Sequence, residues 1–476
     1  MVPKEKANKA NTSKKRSSEP IKIEATTPHG YIDEFFTPFG GFLLFVKMLA
    51  ALQFENLFEN VFIEPERKVK FGHYFMLKAL IFLLVIGFQR IFHFSYISQD
   101  AMLLGVLGIT KLPAVSTFWR WLISCSSDQA FSLVKLMALI RERVWWQVGY
   151  AYNTVHIDID TTVETVYGDI EGARKGHNPK HRGKKGLRPV LIFLAETKEY
   201  LTGKLRAGST MSGKEVSAII KSFKQLLPGC VTTVIIRADS EFYSQTAVTG
   251  CEKEGYYYII SVKVTEPVFD ADSWYSLPNN PDIQYNSCVY KPKTWDNAYR
   301  FVAMRIRKSD DEKKNPQQSE LFEDNEYKYR IFITNLTSSA HELVDKYDGR
   351  AGAEPLIGEA RREGLCAIPS KKFEANMTFF QIVMLTYNLW RHMQSFADAN
   401  EKSKLRRHTV QVARLKMLFL AAKIIRHSDQ VKVKYSQHLD FRPRLDKLFE
   451  KLDALILNPP NWDCRVFDRL LARGST

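Results

Sequence analysis

Two hydrophobic spacings divide this chain of 476 residues. Near its start, Phe42-Leu-Leu-Phe-Val-Lys-Met-Leu and Tyr74-Phe-Met-Leu-Lys-Ala-Leu-Ile-Phe-Leu-Leu-Val-Ile-Gly-Phe are apolar around most of a helical circumference, which predicts helices buried inside a helical domain. The second stretch is too short for a bilayer and carries Lys78, so it predicts no membrane span. From Val155 the period drops to two. Val155, Ile157 and Ile159 alternate with His156, Asp158 and Asp160, so a strand here turns both aspartates to one face. Val190 to Glu196 and Leu201 to Gly208 predict two further strands about a Lys/Glu turn. Met211 to Leu227 has the pattern of an amphipathic helix, Val234 to Asp239 of a β-branched strand closed by an acid, and Tyr256 to Val262 of a fifth strand. Three strands, a crossover helix and more strands make an α/β layer.

Residues 263 to 335 are too long an interval for a structureless loop. Arg300 to Arg307 and Tyr327 to Thr334 read as strands of a β-rich insertion. Arg305, Arg307, Lys328 and Arg330 alternate with apolar residues, which predicts cations on one sheet face, either tracking phosphates or simply solvated. Ser309 to Glu326 is polar and acidic and predicts a hairpin tip. Beyond it, Ala375 to Arg391 predicts a long helix covering the sheet. Lys402 to His408 and Lys416 to Arg426 predict a basic helical region, closed by an amphipathic helix from Arg442 to Leu455.

Carboxylates at the ends of apolar strands are costly to desolvate and are tolerated where a metal ion or a cation compensates. Asp160 and Asp239 hold such positions, with Asp158 the rival of Asp160. A third acid lies in Tyr347-Asp-Gly-Arg350-Ala-Gly-Ala-Glu354-Pro-Leu-Ile-Gly-Glu-Ala-Arg361. If Tyr347 opens a helix, Arg350, Glu354 and Arg361 recur at steps of four and seven and share a face, while Pro355 forces a kink or a restart.

Asp160-Thr-Thr, Asp239-Ser and the Tyr347, Arg350, Glu354, Arg361 series together resemble the bacterial insertion-sequence DDE transposases, in particular the subgroup with a Tyr-x2-Arg-x3-Glu-x6-Lys signature. The basic segment Gly172 to Leu191 also resembles the connection after the first strand in that group. Two departures stand out. Arg361 replaces the usual lysine, and Glu241 stands where glycine is expected after Asp239. The resemblance implies an RNase H-like catalytic core at 151–262 and 336–395, interrupted by the insertion at 263–335. It also implies that Asp160, Asp239 and Glu354 bind two Mg2+ or Mn2+ ions for in-line phosphoryl transfer. Tyr347, Arg350 and Arg361 would then contact DNA, joined by His177, Lys180, Arg182, Lys184 and Lys185. Trp274 and Trp295 are either base-stacking rings or core tryptophans. The expected partners are double-stranded terminal inverted repeats and target DNA, bound by a homodimer that cuts and pastes the element through hairpin ends.

Composition agrees with a polyanionic partner: the formal charge is +16, and 45% hydrophobic residues exclude general disorder. Cys125, Cys230, Cys251, Cys288, Cys366 and Cys464 show no CxxC spacing, which predicts reduced thiols, no structural zinc and a cytoplasmic address. Residues 1–30 read as a basic disordered tail without a secretory signal. Within a helical domain at 31–150, residues 100–123 read as a helix-turn-helix whose second helix is capped by Ser116 or Thr117, with Arg120 reaching DNA near its start. Residues 396–476 form a helical region for DNA or a second subunit. Three rivals remain: a transposase-derived binding protein, another RNase H-like nuclease, and a carboxylate hydrolase that would leave the charge unexplained.

Overall fold

The computed structural model describes residues 23–176, 178, 181–208, 211–263, 267–308, 326–398, 405–427, 430–436 and 441–462. Most of the expected tail, the expected hairpin tip from Ser309 to Glu326 except Glu326 itself, and both His177 and Lys180 lie outside the described residues.

Among the described residues nine strands join in one mixed sheet. They are β1 (Thr154–Thr161), β2 (Val190–Leu194), β3 (Tyr200–Lys204), β4 (Thr233–Ala238) and β5 (Tyr257–Val262), then β6 (Tyr275–Leu277), β7 (Asn280–Tyr290), β8 (Tyr299–Arg307) and β9 (Tyr327–Thr334). Their order is β6-β7-β8-β9-β5-β4-β1-β2-β3. The β1–β2–β3 meander is antiparallel, whereas β4 and β5 run parallel to β1. Every residue of β2 is buried, as expected of a strand covered on both faces. The parallel crossover is made by the helix Gly213–Leu226, which opens with a capping box between Ser212 and Glu215.

The long helix Phe373–Asp398 is buried on nearly all sides and lies between the sheet and the helices His73–Ile86 and Ser127–Val148. It also covers the β3 edge chemically. The Asn388 side chain accepts from the Tyr200 N–H (2.9 Å) and donates to the Tyr200 carbonyl (2.8 Å), standing in for a missing neighbour strand. A buried Arg141 fastens the helical layer to the β2–β3 turn, donating to Glu199 (2.8 Å), the Tyr200 carbonyl (2.7 Å) and the Leu226 carbonyl (3.0 Å). One apolar cluster therefore runs from Phe42 through the sheet to Leu455. No helix among the described residues is long and apolar enough to cross a membrane.

The insertion strands join the central sheet: β9 pairs antiparallel with β5, so β6 to β9 extend it. Three expectations change. The four insertion cations do not share a face. Register sets Arg305 opposite Tyr329 and Arg307 opposite Tyr327, but Lys328 opposite Ile306 and Arg330 opposite Met304. Alternation places residues on a face within one strand, and the register between strands decides whether the faces coincide. In the helix pair Ala101–Leu107 and Val115–Ile123, the second helix is preceded by Ala114 without a side-chain cap, and Arg120 falls in its last turn. Finally, among the described residues the basic C-terminal stretch is α-helical over Val410–Met417, after a 3-10 turn at Leu405–Arg407. Ala422–His427 and Gln430–Tyr435 form an antiparallel hairpin that pairs with Phe35–Thr37.

Candidate active site

Parallel pairing of β1 with β4 sets Ile159 opposite Ala238. Asp160 and Asp239, each one residue farther along, thus emerge side by side at the same sheet edge. Asp160 accepts the Thr161 N–H at 2.8 Å, and Asp239 accepts the Glu241 N–H at 3.0 Å as it caps the short turn Ser240–Phe242. Burial pushes the Asp160 carboxyl up to about 6; Arg350 opposes this, while Asp239 and Glu354 add to it. Asp239 is raised as well, first by burial and then by Glu241, against the pull of Arg350 and Lys263.

The third acid arrives on a broken helix. Ala340–Asp348 is α-helical, Gly349–Gly352 tightens to a 3-10 turn, Ala353–Ala360 resumes the α-helix, and Arg361–Leu365 widens to a π-turn. Glu354 is exposed in the first turn of the resumed helix, where the exposed N–H groups favour a carboxylate. Pro355 follows in that turn and breaks no earlier hydrogen bond, so the restart precedes the proline. Leu356, Ile357 and Ala360 bury the opposite side. Glu359 reinforces it through a buried pair with Arg391.

Arg350 lies among the acids. Its Nη2 is 3.4 Å from Asp160 and donates to the Ile159 carbonyl at 3.1 Å. Arg361 reaches the chain just beyond that strand, contacting Glu164 and the Val163 carbonyl, each at 2.8 Å. Arg350 therefore addresses β1 and Arg361 the segment that follows it, though not from one continuous helix. The Tyr347 ring packs 4.5 Å from Phe332, and its hydroxyl donates to the Ala238 carbonyl at 3.4 Å. Asp158, the rival acid, is only 2% exposed and is held by Arg237 at 2.6 and 2.9 Å. Gly349 leaves room for that arginine: a Cβ there would meet its Nη1 at 2.6 Å.

Glu241 was legible only as a departure from the resemblance, yet it latches the site. It accepts from Thr161 Oγ1 (2.9 Å) and Arg188 Nη2 (3.0 Å), joining the β1 end to the basic connection. On that connection Arg182, Lys184 and Lys185 are exposed, and Lys185 is 3.3 Å from Asp169. Trp295 joins the Asp239 side by packing on Tyr243 and Tyr299, at 5.1 and 5.3 Å. Trp274 does not; it covers Arg305 at 4.1 Å. Arg120 is exposed in the helical layer beside Ser116 at 3.5 Å.

Among the described residues no group of three or more His, Cys, Asp or Glu is drawn tightly enough to hold a metal ion. The donor chemistry still suits a hard divalent cation: the acids offer only carboxylate oxygens, and Asp160, raised first by burial, is raised further by Asp239 and Glu354.

An acid-bearing edge of a mixed sheet inside a strongly basic chain is the layout of an enzyme that acts on nucleic acid. Residues 36–457 match the family described as Transposase DDE domain group 1, and the chain belongs to it; the protein is a DNA transposase. No curated protein matches. Among solved structures, a piggyBac transposase synaptic complex with hairpin DNA is similar at 11% identity and a TM-score of 0.43, over 88% of this chain and 86% of that one. The Drosophila P element transposase strand transfer complex is similar at 11% identity and a TM-score of 0.21, over 49% and 46%.

Proposed function

We propose that this transposase moves a bacterial insertion sequence by cutting and pasting, that β1 to β5 are its RNase H-like core, and that Asp160, Asp239 and Glu354 are its catalytic carboxylates. The observation that carries this reading is the juxtaposition of Asp160 and Asp239 on adjacent parallel strand ends, with Glu354 near enough to raise the Asp160 carboxyl. These acids would hold Mg2+ or Mn2+, two per site, whose Lewis acidity activates the attacking hydroxyl and stabilises the leaving oxygen.

The chain's own residues do the rest. Arg350 sets positive charge against the acids and against the phosphate brought to them. Arg182, Lys184 and Lys185 hold backbone phosphates beside the site, a role the sequence also assigns to His177 and Lys180, outside the described residues. Arg361 and Tyr347 brace the elements around Glu354 through Glu164 and the Ala238 carbonyl. Trp295 offers a ring to an unpaired base at a hairpin end. Terminal inverted repeats and target DNA are the substrates, engaged by a homodimer.

The test is strand cleavage by purified protein on a linear duplex carrying the element's ends, with magnesium or with chelator, beside Glu354→Gln. Magnesium-dependent breaks at the element boundaries, lost in Glu354→Gln while binding persists, are expected. Tight binding without cleavage in either metal overturns the catalytic reading in favour of a transposase-derived binding protein.

A further inference from the structure

The C-terminal hairpin concentrates charge that the catalytic site does not use. Residues 405–447 contain eleven Lys and Arg against three Asp, a surplus of eight within a whole-chain charge of +16. The hairpin sorts part of that charge onto one face. Register sets Lys423 opposite Lys434 and Ile425 opposite Lys432, and Phe36 of the neighbouring strand lies beside Lys423. The opposite face carries Ile424, Val433 and Tyr435, which pack against the main core; the Tyr435 ring is 6.0 Å from Phe449 and its hydroxyl donates to the Gly40 carbonyl at 2.9 Å. The apolar face therefore fixes which way the lysines point. Lys432 and Lys434 are exposed, as is the Phe36 ring.

Two physical features separate this face from ordinary solvated charge. Like charges directly opposite one another across a sheet destabilise it, and Lys423 with Lys434 is such a pair. Lysines on an edge strand commonly deter unwanted pairing, and Gln430–Tyr435 is an edge strand, but Lys423 belongs to the central strand of the three. Glu34 offsets Lys423 from one side and leaves the other two lysines to an external anion.

We propose that this three-lysine face is a second DNA contact, binding the phosphate backbone of duplex DNA without reading its sequence. The proposal rests on the DNA-transposase reading and adds a surface to it. A polyanion removes the repulsion between Lys423 and Lys434, and displacement of its counterions supplies the affinity.

The test is the salt dependence of binding to a duplex of arbitrary sequence, about 40 base pairs long, in chelator so that nothing is cut. The double variant Lys432→Gln/Lys434→Gln should bind roughly tenfold more weakly at moderate salt, and its slope of log K against log salt should be shallower by about two. A control, Lys221→Gln/Lys224→Gln on the exposed side of the helix Gly213–Leu226, removes the same charge elsewhere and should leave the slope unchanged. An unchanged slope in the hairpin variant overturns the proposal, as does an equal loss in the control. A hairpin variant whose self-association changes while its slope does not assigns the face to a second copy and likewise overturns it. Loss of this contact alone leaves metal-dependent cleavage at saturating protein intact; absence of cleavage in the wild-type chain refutes the catalytic reading instead.

Discussion

Asp158 and Asp160 lie two residues apart on one strand and one face, yet their surroundings oppose each other. Asp158 is sealed from solvent and gripped through both oxygens by Arg237, whose remaining nitrogen donates to the Lys346 carbonyl at 2.7 Å. Asp160 shares a single looser contact with Arg350 and adjoins Asp239 and Glu354. One carboxylate has its charge matched by a dedicated partner. The other is left beside two further acids at the sheet edge, where we propose that a cation binds. Burial alone would select the wrong aspartate, since both carboxyls are raised first by desolvation.

The contrast breaks most forcefully at Asp158. Asp158→Ala strands the Arg237 guanidinium in the interior and should cost about 3–5 kcal/mol of stability, read by denaturant unfolding. Loss of less than about 1 kcal/mol would show that the pair is not structural.

Asp160→Asn should do the reverse. The Asp160 carboxyl, at about 6 in the folded chain against an ordinary 3.8, holds its proton longer when folded. Its ionisation therefore costs stability progressively between those values, and the cost is complete above about pH 6. Without metal, Asp160→Asn should gain about 1–2 kcal/mol at pH 7 and nothing below pH 4, while losing strand cleavage. Equal stability of the two proteins at both pH values would refute the raised Asp160 carboxyl.

Glu241→Gln sharpens the comparison from the other side. Releasing Arg188 and weakening the Thr161 latch should lower cleavage roughly tenfold with about 1 kcal/mol or less of lost stability, because the bonds lie near solvent. The smallest effect belongs to Glu215. Its partners are not the acids: despite the opposing cost of burial, the Ser212 backbone, Lys204 and Arg206 hold its carboxyl down at about 2. Its stabilising contribution is present above its ordinary value of 4.5 and is lost as pH falls toward 2. Glu215→Gln should cost about 1 kcal/mol at pH 7, with the difference from wild type vanishing near pH 2 in a pH series of unfolding midpoints.

How far the chain could be read before its structure follows from what each signal contains. Strict alternation in Val155 to Asp160 and the β-branched run at Val234 to Ile236 announced β1 and β4 and placed their acids at strand ends. Those signals are local. That Asp158 has a private arginine depends on parallel register with Arg237, which no single strand contains. The same limit split the cations of β8 and β9 between faces. β7 escaped notice because Asn280, Asp282, Gln284, Asn286 and Ser287 dilute its apolar positions. The C-terminal hairpin carried a usable signal, since Val431 and Val433 alternate with Lys432 and Lys434, but the density of basic residues around it suggested a helix. Glu241 was visible as an unexpected residue, and only the fold brings Thr161 and Arg188 to it.

We propose that the negative surplus at Asp160, rather than burial at Asp158, defines the ion-binding edge. Mn2+ binding followed by electron paramagnetic resonance on the DNA-free protein tests it most directly, comparing wild type, Asp160→Asn and Asp158→Asn under conditions where all three remain folded. Binding is expected in wild type and in Asp158→Asn, with a loss of about tenfold or more in Asp160→Asn. Retained affinity in Asp160→Asn together with loss in Asp158→Asn would contradict it.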